Sequence, residues 1–372
     1  MSAAAAYAST VPMGATLILG EWQHGCSASM AAKIDVLRAL TQAGHRVHVL
    51  LEAREENVAQ LVAEQGQGRG EFALHNMPHI YRSREFLEVI TLGVHQPSVT
   101  FTGYDFRLGS ATAAPLYSLQ ESGLPMQFRS QLSFVLKATL RPWELWAPAL
   151  LHAIPPSLLE EIENVDSKAH EFVTNVRYAQ LLARPGDGLG LTKNQRPRVS
   201  RTGAVAAFNF RDAWCANRIQ SILADETAQP GSEPTTTVIW CAAVHAARSL
   251  ASVVRPVGTQ LFVSLAEQLQ GQRLTFTSLG VTAKSGEYLD SFRLAPVPVP
   301  VPGDKGWLEN RVPTGIWFTP ERDVGDIERA AFLGDGADAV WSNIYDRVYV
   351  AQSTEPISLI AASETGSSQM RV

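Results

Sequence analysis

Cysteine is scarce in this chain of 372 residues: there are three, Cys26, Cys215 and Cys241, an odd number with no C-x-x-C pair. That excludes a disulfide framework and a paired-cysteine metal site, and reduced thiols in a cytoplasmic compartment are the expectation. Charge is sparse too, at 18% of residues against about 25% in ordinary globular domains, which excludes a disordered chain, a coiled coil and a solvating tail. The 31 basic and 36 acidic residues leave a net charge of -5, and no Lys/Arg block is dense enough to track a phosphate backbone, so nucleic acid is not an expected partner. No apolar run reaches the roughly 18 to 20 residues of a membrane span, so no membrane partner is expected. The opening MSAAAAYASTVPMG has no Lys or Arg ahead of an apolar stretch, so residues 1–13 read as a flexible tail rather than a secretion signal, as do residues 363–372. No internal repeat is present.

What the chain does have is hydrophobic residues, 45% of the total, in alternating short and amphipathic runs. Thr16 to Glu21 (TLILGE) and Arg46 to Glu52 (RVHVLLE) read as strands around a helix in Ser29–Gln42. In that helix Met30, Ile34, Leu37 and Leu40 recur at three- and four-residue spacing, and Gly44 stands at the C-cap. This is a βαβ unit, whose right-handed crossover makes its strands parallel neighbours or near neighbours. A helix from Ala53 to Gln65 and a strand from Ser98 to Phe106 continue the alternation. The pattern resumes with a helix Arg211–Asp225, strand Thr235–Cys241, helix Gln260–Gln270 and strand Arg273–Thr282, and closes with strands at Gly315–Thr319 and Arg347–Gln352. The expected fold is α/β, a mostly parallel central sheet flanked by helices, with residues 14–110 and 205–362 as the core carrying the site. Residues 111–204 read as a helical insertion with a flap loop, forming a cap or cleft wall. PVPVPVP (296–302) cannot donate to a central ladder and reads as a connector.

In open parallel sheets the strand C-termini and helix N-termini converge on one rim, so polar residues that end strands are the natural site candidates. Here Glu21 ends the first strand, His24 follows in GEWQHG, Glu52 ends the second, Asp105 the third, and His245 follows TTTVIWCAAV. An imidazole held in one tautomer by a carboxylate can take a proton from water, and a second imidazole can polarise a carbonyl or protonate a leaving group. His24 is the candidate base, Glu21 or Glu52 its orienter and His245 the second imidazole. The same four side chains are also a competent ligand set for one divalent metal. A strand-end Glu also caps helices, however, and His45, His48, His75, His79, His95, His152 and His170 read as surface or satisfied core residues. Cys26 reads as a small buried hydrophobe before it reads as a nucleophile.

These residues resemble the erythromycin esterase-like family, within a superfamily that includes the ChaN-like and TraB/Tiki groups. LGEWQHG (19–25) is similar to the family's LGE-x-x-HG, VLLEA (49–53) to its strand-end Glu motif and TGYDFR (102–107) to its G-[FY]-D segment. FRDAWCANRI (210–219), IWCAAVHAAR (239–248) and YDRVYVAQSTEP (345–356) follow in the family's order. The resemblance implies a metal-free hydrolase of a carboxylic ester, lactone or amide, acting on a natural product or peptide, with His24 as base, Glu21 and Glu52 as its acidic partners and His245 as second imidazole. It also implies substrate contacts at Lys33, Tyr104, Asp105, Arg107 and Arg248. Departures are Ala242 and Ala243 in place of a His and an Asn, Lys33 where an Arg is common, Cys215 for a Met and Asn217 for an acidic residue. They imply different substrate recognition, and leave a metallohydrolase or a non-catalytic ligand-binding homologue as the alternatives.

Overall fold

The computed structural model describes residues 2–78, 81–106, 157, 159–160, 173–174, 177–178, 181, 201–228, 233–254, 262–289, 295–299, 301, 307–320, 328–330 and 337–360. Its strands are β1 (Thr16–Glu21), β2 (Arg46–Leu51), β3 (Val99–Gly103), β4 (Thr235–Ala242), β5 (Val253–Val254), β6 (Thr277–Ala283), β7 (Glu287–Leu289), β8 (Pro296–Pro298), β9 (Trp317–Phe318), β10 (Glu328–Ala330), β11 (Ala337–Ala339) and β12 (Arg347–Ala351). Seven of them form the main sheet in the order β3-β2-β4-β1-β6-β12-β9, parallel throughout except where β9 runs against β12. This is the α/β fold read from the sequence. β4 inserts between β1 and β2, pairing Ile18 with Ile239 and Val49 with Val238, so the first βαβ unit joins near neighbours. Flanked on both edges and covered on both faces, β1 is buried from Leu17 to Glu21, which is why its sequence is a near-continuous apolar run.

The first helices are α1 (Ala3–Ala8), α2 (Ser27–Gln42), α3 (Glu55–Gly66), α4 (Gly70–Ala73) and α5 (Arg84–His95); α6 (Arg201–Thr227), α7 (Ala243–Ala246) and α8 (Leu265–Gly271) follow. In α2 the predicted stripe of Met30, Ile34, Leu37 and Leu40 is buried, each side chain contributing about 1.5–3 kcal/mol of transfer free energy. Gly44 ends that helix at φ 89°, and the amide of His45 reaches back to the Leu40 carbonyl at 3.0 Å, the six-to-one bond of a glycine C-cap. Two readings are corrected. Residues 3–8, expected in a flexible tail, form α1 and bury Ala4, Tyr7 and Ala8, with the Tyr7 ring 5.6 Å from Trp317. The strand expected from Arg273 starts at Thr277, because Arg273 itself takes a left-handed φ of 64° that breaks extension.

The chain divides into two compact units, residues 1–104, 218–259 and 264–372 in the first and residues 105–217 with 260–263 in the second. The first holds the main sheet and its core. In the second, Phe106 meets the rings of Tyr178, Phe210 and Trp214 edge-on at 5.0–6.2 Å. The helical insertion and flap expected at 111–204 lie almost wholly outside the described residues. PVPVPVP contributes β8 to a two-stranded ribbon with β7, away from the main sheet, as proline's missing N–H requires. Among the described residues no helix is long and apolar enough to cross a membrane.

Candidate active site

Alternation along β1 sends Leu17 and Leu19 into the core on the α2 side, and Glu21 follows them at the strand's end. Its carboxylate is fully buried between two partners. The Nδ1 of His24 lies 2.6 Å from Oε1, and the ammonium of Lys33 lies 3.4 Å from Oε2. The three-residue spacing in GEWQHG is what folds the imidazole back onto the carboxylate. The turn between them is pinned from outside: the Gly25 carbonyl accepts both from the Leu289 amide, at 3.0 Å, and from the Ile357 amide, at 3.1 Å. A side chain at Gly25 would collide with the Leu289 carbonyl, its Cβ falling 1.9 Å from that oxygen.

Lys33 stands on the buried stripe of α2, three residues after Met30 and four before Leu37, where an apolar residue is the rule. It is 0% exposed. Its Nζ donates to the Cys241 carbonyl at 3.1 Å and sits 4.3 Å over the Trp240 ring, in addition to facing Glu21. Burial pushes the ammonium's pKa below its ordinary value, while the Glu21 carboxylate, and more weakly Glu52, push it back up. Lys33, expected among the substrate contacts, is engaged with Glu21, the Cys241 carbonyl and the Trp240 ring.

Glu52, 1% exposed just beyond β2, accepts a long hydrogen bond of 3.4 Å from the Ala242 amide, and Ala242 is the register partner of Glu21. Glu21, His24, Lys33 and Glu52 are thus drawn to one region of the rim. His245 lies on α7, directly after β4, and is 6% exposed. That short helix packs so closely on β1 that a Cβ at Gly20 would come within 2.6 Å of the Ala246 Cβ.

The other expected contacts are engaged elsewhere. The Tyr104 hydroxyl donates to the Trp240 carbonyl at 3.2 Å, bracing β4. Asp105 belongs to the second unit, where its carboxylate takes the buried guanidinium of Arg211 through Nη2 at 2.8 Å and Nε at 3.2 Å. Arg248 is paired with Asp346, whose other oxygen accepts from the Ser278 amide at 2.8 Å. Arg107 lies outside the described residues. The sulfur of Cys26 is buried 3.0 Å from the Thr354 hydroxyl, and burial raises its pKa, so it stays a thiol.

Glu21, His24, Glu52 and His245 are the four candidate metal ligands. The Lys33 ammonium already neutralises Glu21 from the protein side, and among the described residues no group of three or more His, Cys, Asp or Glu side chains is gathered to hold an ion.

Residues that sequence reasoning missed complete the surroundings. Tyr81, 0% exposed, sets its ring at 77° to the His24 ring with 6.4 Å between centroids. Tyr81 stacks on Phe86 at 4.5 Å, and Phe86 meets Trp240 edge-on at 6.4 Å. The available signal was Ser83 followed by an apolar-periodic run, an N-cap whose hydroxyl accepts from the Phe86 amide at 3.1 Å.

The class is an α/β fold with a mostly parallel sheet, and Glu21 and Glu52 lie at the C-terminal ends of its strands. Among solved structures it is shared by an erythromycin esterase, a histidine-to-asparagine variant of EreC in its open conformation. The TM-score is 0.64 at 10% identity, over 94% of this chain and 93% of that one. A succinoglycan biosynthesis protein matches with a TM-score of 0.62 at 14% identity, covering 93% of this chain and 90% of its own. A protein from Bacillus cereus matches at 0.60 and 13%, covering 94% and 91%. No protein-family model and no curated relative matches the sequence. The likeness is one of fold.

Proposed function

We propose that this chain is a metal-free hydrolase of carboxylic esters, lactones or amides in small molecules or peptides, with His24 activating water. The observation that carries this reading is the buried Glu21 carboxylate 2.6 Å from Nδ1 of an imidazole that keeps 19% of its side chain exposed. An ionised carboxylate only accepts, so Nδ1 carries the proton and Nε2 presents the lone pair. Nε2 takes a proton from water as its oxygen attacks the carbonyl carbon, and returns that proton to the departing oxygen or nitrogen as the tetrahedral intermediate collapses. Lys33 backs Glu21 from the protein side at 3.4 Å, and His245 polarises the carbonyl or protonates the leaving group. The erythromycin esterase in the same fold supports the ester reading.

The test is hydrolysis of a panel of p-nitrophenyl esters, aryl amides and macrolactones by the wild type and by His24→Ala, with and without chelator. The expected result is turnover insensitive to chelator that falls about 10²- to 10⁴-fold in the variant, at an unchanged melting temperature. Full activity in His24→Ala, or ligand affinity without turnover in the wild type, would overturn the proposal.

A further inference from the structure

Following the contacts outward from Glu21 and back traces a closed ring. Glu21 holds His24 at 2.6 Å, His24 meets Tyr81 edge-on at 6.4 Å, and Tyr81 stacks on Phe86 at 4.5 Å. Phe86 meets Trp240 at 6.4 Å, Trp240 carries the Lys33 ammonium 4.3 Å from its ring centre, and Lys33 returns to Glu21 at 3.4 Å. Its six members come from β1 and the turn after it, from α2, from the segment that leads into α5, from α5 itself, and from β4. The three aromatic members are buried.

The polar half of this ring fixes only one nitrogen of His24. The imidazole can still turn about its Cβ–Cγ bond, which breaks the hydrogen bond from Nδ1 to the carboxylate and carries Nε2 away from any fixed position. What restrains that rotation is a wall beside the ring. We propose that Tyr81 is that wall: a positioning residue for the base, which acts through its ring and not through its hydroxyl. This inference rests on the hydrolase reading for its kinetic consequence, though not for its structural one.

The surroundings of Tyr81 suit the role. Its amide donates to the Pro78 carbonyl at 2.9 Å, and the neighbouring Arg82 donates through Nε to the Met77 carbonyl at 3.0 Å. Ser83 then starts α5, and its bridge to Leu359 ties the segment to the end of the described chain. The stack on Phe86 sets the plane of the tyrosine ring, because Phe86 is itself held by Trp240. The partial positive edge of one ring against the face of another is the favoured approach for aromatic pairs, and the 77° angle between His24 and Tyr81 is of that kind.

The test compares Tyr81→Phe and Tyr81→Leu in the full chain, using nitrogen-15 imidazole NMR of His24 beside steady-state hydrolysis of the best ester of the panel. In the wild type the spectrum is expected to show one tautomer with the proton on Nδ1. Tyr81→Phe keeps that signature and stays within about twofold in kcat, whereas Tyr81→Leu averages the two nitrogens and lowers kcat about tenfold at unchanged KM. An unaltered tautomer signature in Tyr81→Leu overturns the proposal, and so does a loss in Tyr81→Phe equal to that in Tyr81→Leu. If Tyr81→Leu averages the nitrogens while the wild type hydrolyses none of the panel, the positioning role stands and the hydrolase reading fails.

Discussion

Replacing Lys33 with methionine removes a charge that the rest of the site is built around. Glu21 and Lys33 are both fully buried with 3.4 Å between their charged atoms; at an effective dielectric of about 20 that separation corresponds to an attraction of about 5 kcal/mol before desolvation is set against it. Methionine fits the volume but leaves the carboxylate unneutralised in the core, and loss of one member of a buried pair costs about 3–5 kcal/mol. Urea unfolding followed by circular dichroism measures this directly: the midpoint should fall with the slope unchanged. Adding Glu21→Gln should recover most of the lost stability, because the orphaned charge is then gone. Activity should not return, since a neutral amide no longer sets the tautomer of His24. A single variant within about 1 kcal/mol of the wild type, or a double variant less stable than the single, would refute the argument that the two charges are mutually dependent.

Three further outcomes follow from the same structure. The buried groups Cys26, Tyr7 and Tyr345 have folded-state pKa values raised by burial, so their stabilisation is complete below the unfolded values of 9.0 and 10.0 and is lost as pH rises through and beyond them. The urea midpoint should accordingly fall above about pH 9, and Cys26→Ala should delay the onset. Gly20→Ala places a methyl 2.6 Å from the Ala246 Cβ and 2.8 Å from the Ala243 Cα, and should lower stability by about 1–3 kcal/mol in the same assay. Thr354→Val removes the hydroxyl that accepts from the Ala28 amide at 3.2 Å at the start of α2, and should cost about 1 kcal/mol by differential scanning calorimetry.

The parts of this molecule that could be read from the sequence are those in which neighbours in the chain decide the outcome. The apolar run of β1, the stripe of α2 and the glycine at its C-cap appear within a residue or two of where they were expected, and of the two carboxylates considered as partners of His24 it is Glu21, three residues away, that lies 2.6 Å from it. The α5 helix was missed because Val89, Ile90 and Thr91 read as readily as a strand, and only packing against the core settles the matter. Lys33 was expected as a substrate contact from the family resemblance, and its burial against Glu21 was not foreseen. Its partner Cys241 is 208 residues away, and nothing local announces that β4 will enter between β1 and β2. Arg248 and Asp105 likewise took ion-pair partners, Asp346 and Arg211, that a reading by motif had not supplied.

The segment from Thr354 to Ile360 lies across the rim, touching the Cys26 sulfur, the start of α2, the Gly25 carbonyl and the Arg82 carbonyl ahead of α5. Cys26 and Thr354 are 328 residues apart, so the turn that carries His24 gains this outer support only after the chain has been made through Thr354. Closing so long a loop is entropically late in folding. A nascent chain that has completed β1 and α2 therefore holds both residues of the Glu21–His24 pair without the strap beside the turn that joins them, and that turn gains its outer support only when residues 354–360 have been made and docked.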